Sequence, residues 1–64
     1  MSKKYFVHTN PDYRCYWICD GKKVIARFKD DTTQDYILDQ GSLGYAKQMG
    51  SIREISESEF VLLI

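Results

Sequence analysis

Asp20-Gly21 sits between two segments of alternating character, residues 13–19 (Tyr-Arg-Cys-Tyr-Trp-Ile-Cys) and 22–29 (Lys-Lys-Val-Ile-Ala-Arg-Phe-Lys). A two-residue reversal of this kind joins antiparallel strands, because its twist matches theirs and glycine accepts the positive φ it requires. With Asp20 and Gly21 in the loop, Cys19 lies opposite Lys22, Ile18 opposite Lys23, Trp17 opposite Val24 and Tyr16 opposite Ile25. Beyond them Cys15 meets Ala26, Arg14 meets Arg27 and Tyr13 meets Phe28. Side chains alternate along a strand. Tyr13, Cys15, Trp17, Cys19, Val24, Ala26 and Phe28 therefore share one face, interrupted by Lys22 at its end, and this face is the expected core. The opposite face carries Arg14, Tyr16, Ile18, Lys23, Ile25 and Arg27. It combines an apolar patch with two arginines directly across from each other, a pairing that is mildly unfavourable without an anion or carboxylate between them.

The flanking segments extend this hairpin to an α+β pattern. Residues 4–9 (Lys-Tyr-Phe-Val-His-Thr) read as a first strand, ended by the turn signal Asn10-Pro11-Asp12. After Lys29 the period changes. Asp30 and Asp31, followed by Thr32-Thr33-Gln34-Asp35, resemble a helix N-cap with acidic residues in the first turn. Tyr36, Ile37, Leu38 and Gln40 begin an amphipathic helix, with Gly41 as a stop. Ser42 can cap a second segment, 43–49, ended by Gly50, in which Tyr45, Ala46 and Met49 fall on one side. One kinked helix and two short ones both fit, since Gly41 and Gly44 each cost about 1 kcal/mol inside a helix. Residues 51–56 read as a short strand. Ser56-Glu57-Ser58-Glu59 matches a capping box ahead of the apolar run 60–64, which favours a terminal helix over a buried last strand. The expected fold is a small antiparallel sheet of three to four strands in the order β-β-β-α-β. It packs on one helix through the face bearing Trp17, a short C-terminal helix closes one end, and residues 1–64 form one domain.

A chain of 64 residues hides only about 60% of the surface it exposes when unfolded, so its core is marginal. Small scaffolds usually add disulfides, a metal or a partner surface. Cys15 and Cys19 are the two cysteines; on one strand their Cα atoms lie ~13 Å apart, too far for a disulfide, and buried thiols suit a reducing, cytoplasmic compartment. No stretch reaches the roughly 18 apolar residues of a membrane span, and no signal-peptide pattern opens the chain. Association with another protein, or with a second copy as a homodimer, is then the expected additional source of stability. Net charge is zero, yet residues 1–29 carry +5 and residues 30–64 carry −5. Such asymmetry marks an interaction surface, unless the halves pack together and neutralise each other.

Enzymatic readings find little support. His8 is the single histidine, and the thiols it could activate point into the expected core, where a thiol is inert. Zinc needs about four ligands in a tetrahedral array, which Cys-x-x-x-Cys on a straight strand with one histidine does not supply. Asp35 and Asp39 share a helical face as solvated carboxylates, and Gly41-Ser42-Leu43-Gly44 lacks the lysine and spacing of a phosphate loop. No enzyme, metal or cofactor is expected.

Two binding readings remain. In the first, Arg14, Tyr16, Ile18, Lys23, Ile25 and Arg27 form the contact surface for a protein partner, with the acidic stretch from Asp30 to Asp39 as a second candidate; aromatics and arginine dominate interface energetics. In the second, the same basic face binds nucleic acid, with Tyr5, Tyr16 and Tyr13 as stacking platforms, although zero net charge argues against a dedicated binder. In size and in lacking a signature motif the chain resembles the small accessory proteins of bacteriophages, a likeness of style that no residue carries. That likeness implies a protein that binds and inhibits or modulates a host protein.

Overall fold

The reversal between the two central strands does contain two residues, but they are Gly21 and Lys22. The computed structural model describes residues 3–28 and 30–63. Gly21 takes φ +64° at the first loop position, the place where a two-residue hairpin most needs glycine. Asp20 therefore pairs with Lys23, and Cys19 with Val24, Ile18 with Ile25, Trp17 with Ala26 and Tyr16 with Arg27. Every expected pairing slides, but by an even step, so no side chain changes face. Most of the expected core holds: Cys15, Trp17, Cys19, Val24 and Ala26 are buried and Phe28 packs against them, whereas Tyr13 is exposed.

Among the described residues five strands and two α-helices follow in chain order, with a 3-10 turn (Pro11–Tyr13) after the first strand: β1 (Lys3–His8), β2 (Tyr16–Asp20), β3 (Lys23–Arg27), β4 (Thr33–Ile37), α1 (Gly41–Gln48), β5 (Ile52–Ile55) and α2 (Glu57–Leu63). The sheet is antiparallel throughout, in the order β4-β3-β2-β1-β5. It has five strands rather than three or four. Lys29 and Ile64, the ends of two expected segments, lie outside the described residues.

The extra strand is β4, which the sequence reading makes the start of a helix. Asp30 does accept the Thr32 N–H (3.1 Å) and the Thr32 hydroxyl (2.6 Å). These contacts close a turn instead of capping a helix, because short acidic side chains serve both conformations equally well. Thr33, Tyr36 and Ile37 then favour the pleat, with Tyr36 inward and Ile37 outward. Asp35 and Asp39 consequently do not share a helical face. Asp35 stands on β4 beside Lys23 (3.7 Å), and Asp39 lies in the following turn, paired with Lys47.

Gly41 opens α1 rather than stopping a helix, and Ser42 is not its cap; Gln40 stands there without a side-chain cap bond. At the other end Gly50 (φ +67°) donates to the Lys47 carbonyl and Ser51 to that of Ala46 (2.8 Å), the double bond of a glycine-terminated helix. Gly44 sits where a Cβ would collide with the Asp39 carbonyl, so the close approach of turn and helix requires glycine.

α1 covers the face bearing Trp17, as expected, through Leu43 and Ala46. The Trp17 Nε1–H donates to Ser42 Oγ (3.0 Å), which is 2.9 Å from the Tyr36 hydroxyl, and that hydroxyl accepts from Leu43 N–H (2.9 Å). This chain ties β2, β4 and α1 together with every polar group satisfied. α2 forms as a helix, and the Ser56 hydroxyl accepts the Glu59 N–H (3.2 Å). It does not close an end. It lies against the opposite sheet face, where Phe60 meets the rings of Tyr5 (4.7 Å) and Tyr16 (5.1 Å).

Candidate functional site

β2 starts at Tyr16, not Tyr13. Asn10 accepts from the Asp12 N–H, and Pro11–Tyr13 form a single 3-10 turn. Tyr13 leaves the expected core; it is 56% exposed and stacks on His8 at 4.5 Å. Arg14 follows with φ 41° and ψ 47°, the left-handed conformation that costs a residue with a Cβ about 1 kcal/mol or more. Arg14 is thus off the strand and does not face Arg27. The partner of Arg27 across the ladder is Tyr16.

Register across the sheet sorts the α2 face into three rows. The first reads Thr33, Arg27, Tyr16, Val7, Arg53; the second Asp35, Ile25, Ile18, Tyr5, Ile55; the third Ile37, Lys23, Asp20, Lys3. The first row places an arginine on either side of Tyr16 and Val7, with Thr33 at its β4 end, and the second is almost wholly apolar. Tyr16, Ile18 and Ile25 are half-buried, while Lys23 and Arg27 are exposed. Phe60 sits over Tyr5 and Tyr16, the neighbours of Ile18 and Arg27 across the ladder.

At the first row the surface sinks into a concavity of about 670 Å³, lined among others by Arg14, Tyr16, Arg27, Arg53, Asp31 and Leu63. Of the six residues singled out in the sequence, three (Arg14, Tyr16 and Arg27) meet here. Ile18, Ile25 and Lys23 lie in the next two rows. Arg53 was not anticipated: it reaches the site through the pairing of β5 with β1, which no local pattern announces. Arg27 pairs with Asp31 at 3.6 Å and Arg53 with Glu59 at 3.8 Å. Arg14 has no ion pair among the described residues. The acidic stretch 30–39 does not form one surface. Asp31 and Asp35 turn to Arg27 and Lys23, so the basic and acidic halves partly neutralise each other.

A second hollow, of about 380 Å³, opens on the α1 side, floored by Trp17, Cys15 and Ala46 with Tyr13, Tyr45 and Met49 at its mouth. His8 and Cys15 both line it. The Cys15 thiol is pushed up to about 11 by burial, the reverse of what a nucleophile needs. Burial also raises Cys19, against a smaller opposing pull from Lys47. Both cysteines are free, and Cys15 lies just ahead of β2. His8 Nδ1 accepts from the Asn10 N–H (3.0 Å), which commits it to a turn. Among the described residues no group of three or more His, Cys, Asp or Glu is placed to hold a metal ion, and no helix is long and apolar enough to cross a membrane. Compared with family models, with curated proteins and with solved structures, the chain matches none.

Proposed function

We propose that the chain is a non-enzymatic protein-binding module whose contact surface is the α2 face of the sheet together with the outward side of α2. The observation that carries this reading is the last turn of that helix. Phe60, Val61, Leu62 and Leu63 step round the helix by about 100° each, so they point to all sides. Phe60 alone is buried; Leu62 is 86% exposed, and Val61 and Leu63 are largely so. A helical turn that is apolar on every side favours an interior, and the sheet supplies only one wall of it; the turn before it, Glu57 to Glu59, is polar. The half-buried Ile18 and Ile25 continue the apolar surface, and Arg14, Lys23, Arg27 and Arg53 rim it. An apolar centre inside a rim of arginines and tyrosine is the usual anatomy of a protein interface.

The nucleic-acid reading is weakened by the same geometry. Tyr5 and Tyr16, its stacking platforms, are packed against Phe60, and Tyr13 stacks on His8.

Leu62→Asp tests the proposal. A side chain this exposed contributes little to folding, so the thermal midpoint should move by no more than about 0.5 kcal/mol of stability implies. Affinity for a partner identified by capture from nuclease-treated lysate should fall at least about tenfold, the loss of one strong interface contact. Equal affinity of both chains for that partner, or capture that vanishes on nuclease treatment, contradicts the reading.

A further inference from the structure

We infer that the three-arginine concavity receives carboxylates from an acidic, leucine-containing segment of the protein partner; this rests on the function proposed above and names the chemistry of its ligand. Arg27 and Arg53 stand three strand spacings apart in one row, about 14 Å between backbones, with Tyr16 and Val7 between them. Both flanks of the hollow therefore carry a guanidinium, and Arg14 brings a third to its lining. A guanidinium presents a planar fork of donors that matches a carboxylate.

The present partners of these arginines do not satisfy them. Asp31 stands at 3.6 Å from Arg27 and Glu59 at 3.8 Å from Arg53, beyond hydrogen-bond distance, and all four side chains are at least half exposed. Such surface pairs are weak and readily exchanged. Arg14 occupies a backbone conformation that glycine adopts without strain, and backbone strain of this kind gathers where a side chain must be aimed. Leu63, Val7 and Phe28 also line the concavity, so the ligand must present apolar groups beside its charges. A nucleic-acid backbone would need a continuous basic track rather than one hollow whose lining mixes arginines with Asp31, Val7, Phe28 and Leu63.

Arg14→Gly separates binding from folding. It removes the guanidinium and relieves the left-handed strain, so the thermal midpoint should stay the same or rise. The probe is a short fluorescein-labelled peptide of alternating glutamate and leucine, with alternating lysine and leucine and an oligothymidylate as controls. The acidic peptide should bind the unaltered chain, lose about tenfold in affinity to Arg14→Gly, and lose part of its affinity to Arg53→Lys, which keeps the charge without the fork. Affinity should fall as salt rises. No binding of the acidic peptide, equal binding by Arg14→Gly, or equal binding of the lysine peptide would overturn the inference. Tighter binding of oligothymidylate would overturn it in favour of a phosphate backbone. Should the peptide fail while Leu62→Asp still abolishes partner binding, the concavity is wrong and the protein-binding reading stands; the opposite pair of results discards that reading instead.

Discussion

Trp17→Ala is expected to cost about 3–5 kcal/mol of stability, the largest effect of any single substitution in the chain. At roughly 0.05–0.15 kcal/mol per residue, a protein of this size has about 3–10 kcal/mol in total, so the loss is about a third or more of the whole. Trp17 is 1% exposed, and its strand neighbours across the ladder are Phe6 and Ala26. The ring fills the space beneath α1, and its N–H anchors the Ser42–Tyr36–Leu43 hydrogen bonds that hold the helix to β2 and β4. Trp17→Phe divides the two contributions. It keeps most of the ring volume and loses the donor, and should cost about 1–2 kcal/mol. Urea unfolding followed by circular dichroism reads both. An unchanged midpoint for the alanine variant would mean that the two faces of the sheet have been assigned the wrong way round.

Phe60→Ala should cost about 3 kcal/mol or more and act locally first. Phe60 is 4% exposed and clamped between Tyr5 and Tyr16. A helix of seven residues does not persist in water by itself. Amide exchange should accelerate throughout α2 while α1, held by Leu43 and Ala46 on the other face, keeps its protection until global unfolding. Uniform acceleration across both helices would show that α2 is integral to one cooperative core rather than docked upon it.

The division of the sheet into two faces was legible because it depends on parity, and parity survived even though the hairpin register slid. The helical nature of α2 was legible from its capping box. β4 was not. Asp30 and Thr32 can begin either a helix or a turn, and what decides is the ladder with β3, a tertiary contact that propensity does not contain. Part of the proposed contact surface is readable for the same reason as the core: Tyr16, Ile18, Lys23, Ile25 and Arg27 alternate with the buried set. Arg14 reached the site for a different reason, through a left-handed turn that the strand reading overlooked. Arg53 was hidden because Ile52 and Ile55 of β5 point to opposite faces, one toward α1 and one toward α2. With one apolar residue on each face and the exposed Arg53 and Glu54 between them, the strand lacks the alternation that would reveal its orientation.

Nuclear magnetic resonance of the isotopically labelled chain, titrated with the glutamate–leucine peptide, locates the contact surface residue by residue. Amide shifts are expected to cluster at Arg14, Tyr16, Arg27, Arg53 and Leu63, leaving Tyr45 and Met49 still. Shifts centred on Tyr45, Met49 and Tyr13, around the hollow over Trp17, would place binding on the α1 side and contradict the account.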